Sequence, residues 1–149
     1  MKSPWIAGLR SVALTVPDLA AAERWYTQVW RLDVAARGDG STYFRGSGSD
    51  HHLLALRQQP GTPQILAVTL RARSAAALHA VAAATVAAGG TVEQPPGPAG
   101  DPAGGQRLVI RDPDGRRYAI VHGDALRTPD APPPPDQPQR LAHAVLNAH

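Results

Sequence analysis

The chain has 149 residues and a mass of 15.7 kDa, enough for one domain with a sizeable core. It contains no cysteine, which excludes a disulfide framework, a thiol nucleophile and thiolate metal sites, and no apolar run approaches the ~20 residues that span a bilayer. The sequence pI is near 9.9, yet the net charge is only +3 and fourteen of fifteen cations are scattered arginines among seven aromatic residues, a pattern that argues against nucleic-acid binding.

No apolar signal segment follows the first residues, so a cytoplasmic location is the expectation. Ser11 to Val16 alternates with period two and predicts a strand, ended by Pro17, with Asp18 placed to cap a helix. From Leu19 to Trp30 the residues Leu19, Ala22, Trp25, Tyr26, Val29 and Trp30 recur at helical spacing, which predicts an amphipathic helix with the three aromatics as core anchors. Three strands are expected next, over Leu32–Ala36, Ser41–Arg45 and His51–Arg57, separated by the turns Gly38-Asp39-Gly40 and Gly46-Ser47-Gly48-Ser49-Asp50. The order is βαβββ.

After the linker Gln59 to Pro63 the order repeats. A strand is expected over Gln64–Arg71 and an alanine-rich helix over Ser74–Ala88, capped by Ser74 and stopped by Gly89-Gly90. Strands over Thr91–Gln94, Arg107–Arg111 and Tyr118–His122 complete the second unit, with Asp112-Pro113-Asp114-Gly115 as the turn between the last two. The fold class expected is therefore α+β: two tandem βαβββ units, about 7–58 and 64–123, forming a curved mixed sheet with a concave face. The domain is expected to end near Leu126, with 127–139 as a proline-rich, stiff and extended linker. Residues 140–149 form a tail in which Leu141 to Ala148 is a degenerate copy of Leu9 to Val16, with His143 where the earlier strand has Ser11.

The tandem units, the Val-Pro-Asp-Leu run from Val16 into a helix carrying Trp25-Tyr26, the pair His51-His52 and the late Asp-Pro-Asp-Gly turn resemble the vicinal oxygen chelate superfamily of glyoxalases, bleomycin-resistance proteins and extradiol dioxygenases. More narrowly, Tyr43-Phe44-Arg45, a Gly/Ser turn and His51 to Leu56 resemble the N-terminal domain of two-domain dihydroxybiphenyl-type extradiol dioxygenases, whose C-terminal domain holds the metal. The resembled full-length enzymes use Fe(II) or Mn(II), held by two histidines and a carboxylate with coordination positions left open. The resemblance places those ligands on the first, fifth and eighth strands, at Ser11, Ile65 and Ala119 in this chain, and none of the three can hold iron. No catalytic residue and no cofactor are therefore expected within 1–126. His51 and His52, on opposite faces of the fourth strand by alternation, are weak metal candidates, and His143 would be a ligand only with a downstream catalytic domain.

Three functional readings follow from that resemblance. The first is a non-metal N-terminal domain, not catalytically competent alone, with the tail as the start of a missing catalytic domain. The second is a metal-free binder of an aromatic small molecule, of the bleomycin-resistance type, with Ser11, Ala13, Tyr43, Arg45, His52, Ile65, Ala67 and Ala119 as candidate lining residues. The third is a metalloenzyme whose site is completed in a dimer. A homodimer is the expected assembly, with neither nucleic acid nor membrane as partner. His79 has no carboxylate at helical spacing for a metalloprotease motif, and His122 is expected to face water.

Overall fold

The computed structural model describes residues 2–146. Its elements are β1 (Ile6–Val16), α1 (Leu19–Gln28), β2 (Asp33–Gly38), β3 (Ser41–Arg45), β4 (Leu54–Gln58), β5 (Ile65–Ala72), α2 (Ala75–Ala87), β6 (Thr91–Pro98), β7 (Gln106–Arg111) and β8 (Arg117–His122). The strands hydrogen-bond in the order β2-β3-β4-β1-β5-β8-β7-β6, a mixed sheet that is not closed. The α+β class and the βαβββ order are as expected. No described helix is long and apolar enough to cross a membrane.

Two compact bodies divide the chain. The first joins Arg10–Leu66 to Leu126–Ala142, and the second joins Ala67–Ala125 to residues 2–9 and 143–146.

In the first body β1 runs parallel to β4, while β2, β3 and β4 pair antiparallel. Asp18 caps α1 by accepting the Ala21 N–H at 2.9 Å, which supplies a partner for one of the four donors a helix start leaves open. The core is Leu32, Phe44, Leu53, Leu54 and Leu56, packed with Leu14, Val16, Leu19, Ala22, Tyr26 and Val34. Each fully buried side chain of this size contributes roughly 1.5–3 kcal/mol.

The α1 aromatics divide differently from the expectation. Only Tyr26 anchors in the core, its ring 5.8 Å from Phe44, and burial raises its hydroxyl pKa. Trp25 and Trp30 stay exposed. The helix stops at Gln28, and Arg31 takes a left-handed φ of 58°, so Trp30 leaves the helical stripe before it can pack beneath the sheet.

In the second body β5 runs parallel to β8, and β6, β7 and β8 pair antiparallel. Ser74 caps α2 through the Ala77 N–H at 3.1 Å, and Gly89, with φ of 86°, follows the helix end. Its core unites Ala72, Ala77, Leu78, Leu108 and Ile120 with the partly buried Ile6, Leu70 and Val81. A smaller cluster holds Ala67, Val109 and Ala119. β6 reaches Pro98, four residues past its expected end. It tolerates three prolines because it lies at the sheet edge and carries bulges.

The duplication is visible in the register. β1 pairs Val12 with Leu54 and Ala13 with Ala55; β5 pairs Val68 with Tyr118 and Thr69 with Ala119. Even the irregularity repeats: β2 shifts register between Val34 and Ala36, and β6 between Val92 and Gln94, opposite equivalent residues of β3 and β7.

The region after Leu126 departs from the expectation of an extended spacer followed by a strand. Residues 127–139 bend and are bound to the β3–β4 turn. Ser47 N–H donates to the Pro138 carbonyl at 3.0 Å, Gly48 N–H to the Gln139 carbonyl at 3.1 Å, and Asp130 N–H to the Ser47 carbonyl at 2.9 Å. The Arg127 guanidinium donates to the Gly46 and Gly48 carbonyls and to Asp130. A Cβ on Gly46 would lie 1.9 Å from the Pro138 oxygen, and one on Gly48 2.2 Å from that of Gln139. Only glycine permits this approach. Residues 140–146 form no strand, and the rest of the expected tail strand lies outside the described residues.

Candidate functional site

The most polar part of the first body's interior begins on β1. Arg10 is a buried arginine, 1% exposed, a burial this side chain accepts only when its donors find partners. Its Nε donates to the Ser11 hydroxyl at 3.2 Å, and one terminal nitrogen lies 2.8 Å from His52 Nε2. A guanidinium has donors only, so His52 Nε2 must accept and its ring proton sits on Nδ1. That Nδ1 lies 2.9 Å from His51 Nδ1; His52 therefore donates and His51 accepts, leaving the His51 proton on Nε2. The direction of the whole series, Arg10 to His52 to His51, is fixed by the one group that cannot accept. Tyr43 closes the cluster, its ring 5.0 Å from that of His52 in an edge arrangement.

His51 and His52 therefore do not sit on opposite faces of a strand. They lie in the turn before β4, which begins at Leu54, and a turn is free to bring neighbouring rings into contact, here at 5.2 Å. The cluster joins three of the expected site residues, Ser11, Tyr43 and His52, through Arg10. The others stand apart. Arg45 pairs with Asp33 at 3.8 Å in a half-exposed ion pair. Ile65 is 54% exposed. Ala119 lies in the small apolar cluster of the second body. His79 and His143 are exposed, and His122 is half-buried.

Sequence reading missed two features. The burial of Arg10 leaves no mark in the sequence, because strand alternation gives no sign that an arginine is buried. The Arg71–Asp124 pair of the second body, with contacts of 3.2 Å and 2.8 Å to a carboxylate whose side chain is 2% exposed, joins residues 53 apart.

Residues 8–120 match the Glyoxalase/Bleomycin resistance protein/Dioxygenase superfamily. The chain belongs to this superfamily. No curated protein matches it. Among solved structures it is similar to the Mn(II)-bound glyoxalase from Novosphingobium aromaticivorans, at 26% identity and a TM-score of 0.80 over 85% of this chain and 42% of that one. It is also similar to homoprotocatechuate 2,3-dioxygenase from Arthrobacter globiformis, at 25% identity and 0.76 over 87% and 40%. A variant of the B. fuscum dioxygenase gives 25% and 0.76 over 85% and 35%. The chain thus spans about two fifths of the length of these relatives.

The residues present do not fit the divalent metal that the resemblance implies, such as the Mn(II) of the similar glyoxalase. Ser11, Ile65 and Ala119 offer one neutral hydroxyl and two hydrocarbons, where first-row divalent ions take imidazole and carboxylate. The matched registers also place Ala67, rather than Ile65, at the position equivalent to Ser11, and a methyl group is no better a donor. The Ser11 hydroxyl lies beside the Arg10 cation, which repels a second positive charge in a buried site. His52 already uses both ring nitrogens. Among the described residues no group of three His, Asp or Glu side chains could hold a metal ion.

Proposed function

We propose that this chain is the non-metal module of an extradiol-dioxygenase-like protein and does not cleave rings by itself. The observation that carries the reading is the Arg10–Ser11 contact: on the strand where relatives are expected to supply their first metal ligand, a hydroxyl accepts from a buried permanent cation. The lengths of the similar structures support a role as one part of a larger assembly, in which this module contributes folded support rather than metal chemistry. The test is anaerobic loading with Fe(II), desalting, and metal analysis by plasma mass spectrometry, with ring cleavage of 2,3-dihydroxybiphenyl assayed alongside. Protein that retains well under one tenth of an equivalent and gives no yellow product supports the reading. Near-stoichiometric iron with turnover overturns it and favours a site completed between two chains.

A further inference from the structure

The direction of the series from Arg10 to His52 to His51 limits how many protons the two rings can hold. Arg10 is a donor only, so His52 Nε2, 2.8 Å from its terminal nitrogen, must keep a lone pair. A neutral imidazole carries one proton, which places it on His52 Nδ1 and requires a lone pair on His51 Nδ1, 2.9 Å away. A further proton has no place in this arrangement. On His52 it would set an N–H against the Arg10 donor and a second charge beside a buried cation. On His51 Nδ1 it would set two N–H groups against each other. His52 is 2% exposed and His51 half-buried, so the proton arrives at His51, and the His51–His52 bond is the one it breaks.

That bond lies where the turn before β4 is tied to the segment that follows Ala125. Asp50, beside His51 in sequence, pairs its backbone with Leu126 in an antiparallel bridge, and the Arg127 N–H donates to the Ser49 carbonyl at 2.9 Å. The rings therefore brace the turn from within at the point where the later segment grips it from without. The charged groups around the pair act in opposite directions. Arg10, from β1, disfavours a second cation, whereas Asp50, buried in the same turn, favours one. Tyr43, from β3, packs its ring edge-on against His52. Outside the turn Arg127 and Asp130 are paired with each other.

We propose that His51 and His52 form a proton-sensitive latch: protonation of His51 separates the rings, loosens the turn from Gly46 to Leu53 and releases residues 127–139 from it. The released state takes up the proton that the docked state refuses, so release increases as pH falls, over the range around pH 6.5 in which imidazole titrates.

The test is amide exchange of the full chain between about pH 7.5 and pH 5.5, read over 127–139 as protection factors corrected for the intrinsic pH dependence of exchange. Ordinary carboxylates titrate below this range. Wild-type protection is expected to fall at least ~5-fold, within the limit of about tenfold per pH unit that one proton allows. His51→Asn, whose amide oxygen accepts from His52 at any pH, is expected to keep the segment protected throughout. His51→Ala removes the acceptor and should show, at the upper pH, the loose segment that the wild type shows at the lower one. Replacing His122, in the second body, should leave the wild-type profile. Nitrogen–proton spectra of the imidazole rings at the upper pH are expected to show His52 protonated on Nδ1 and His51 on Nε2, a readout that needs no variant. The opposite tautomer on either ring, wild-type protection that does not change with pH, or a His51→Asn segment that loosens like the wild type overturns the proposal. Should His51→Ala not fold, the ring spectra and His51→Asn carry the same decision.

Discussion

The two βαβββ halves agree strand by strand, down to the position of a bulge, and differ in the turn between their third and fourth strands. In the second half residues 112–116 close that turn unaided: Gly115 N–H donates to the Asp112 carbonyl, Asp112 N–H to the Arg116 carbonyl, and the Arg116 side chain holds Asp112 and Asp114. In the first half the turn runs from Gly46 to Leu53, carries both histidines, and is held from inside by Arg10 and from outside by residues 127–139. The counterparts of the inner group are apolar: matching the registers of the two halves makes Leu66 the equivalent of Arg10, Ala67 of Ser11 and Val109 of Tyr43. The two halves thus share a ladder and differ in this part of their interior, polar in the first and apolar in the second.

Making the first half resemble the second is the sharpest way to test this contrast. Arg10→Leu installs the counterpart residue but leaves the buried His52 Nε2 without its donor, at an expected cost of about 3 kcal/mol. Adding His52→Leu removes the orphaned acceptor, so the double variant is expected to be no less stable than Arg10→Leu alone. Denaturant unfolding of the four-member cycle measures the coupling. Additive losses would mean that the two side chains act independently and that the cluster is not a unit.

The outer support is expected to count for less. Gly46→Ala drives a methyl group into the Pro138 carbonyl, so the tail must lift and lose its contacts with Ser47 and Gly48, for about 1–2 kcal/mol. Amide exchange over 127–139 should accelerate and thermal stability should fall. Gly38→Ala is the control, because a Cβ there meets nothing within 4 Å. Equal exchange in the two variants would show that the tail is not held by this approach.

Ser47 offers a smaller change of opposite sign. Its side-chain oxygen is buried without a hydrogen-bond partner, and such a group costs stability. Ser47→Ala is expected to stabilise the chain by up to about 1 kcal/mol, read as a higher midpoint in urea. A loss of stability would show that the hydroxyl contributes where the packing gives it no partner.

What the sequence disclosed follows the same division. Periodicity and caps gave Asp18, Ser74, Gly89 and nearly every element, because these are local effects carried by neighbouring residues. The histidine pair was misplaced because a buried turn that begins with glycines and ends in leucines reads like the start of a strand. Docking of the proline segment was invisible because it rests on backbone groups of residues some 80 positions away, and backbone groups leave no signature in residue type. The exposure of Trp30 shares this origin, since helical spacing predicts a face but not where the helix stops.

The smallest predicted effect concerns what the halves share. Glu23 in the first is held below the usual carboxylate range chiefly by a hydrogen bond from Arg37, aided by Thr42, against the opposing effect of burial. Glu93 in the second is lowered chiefly by Arg117, again against burial, with Arg111 assisting. For a carboxyl group lowered on folding, the unfolded chain binds more protons in the window between the two pKa values. The stabilisation is complete above the unfolded value, about 4.3, and is lost as pH falls through the folded one. Melting temperature should therefore decline below about pH 5, modestly because these pairs are partly exposed and screened. Glu23→Gln and Glu93→Gln should each remove part of that decline, and what the double variant retains belongs to carboxyl groups such as Asp112, in which desolvation is outweighed by the Arg116 backbone N–H and guanidinium, so that it too is lowered on folding. If Glu23→Gln removed the whole decline, acid sensitivity would belong to the first half alone, and the contrast between the halves would extend from their turns to their carboxylates.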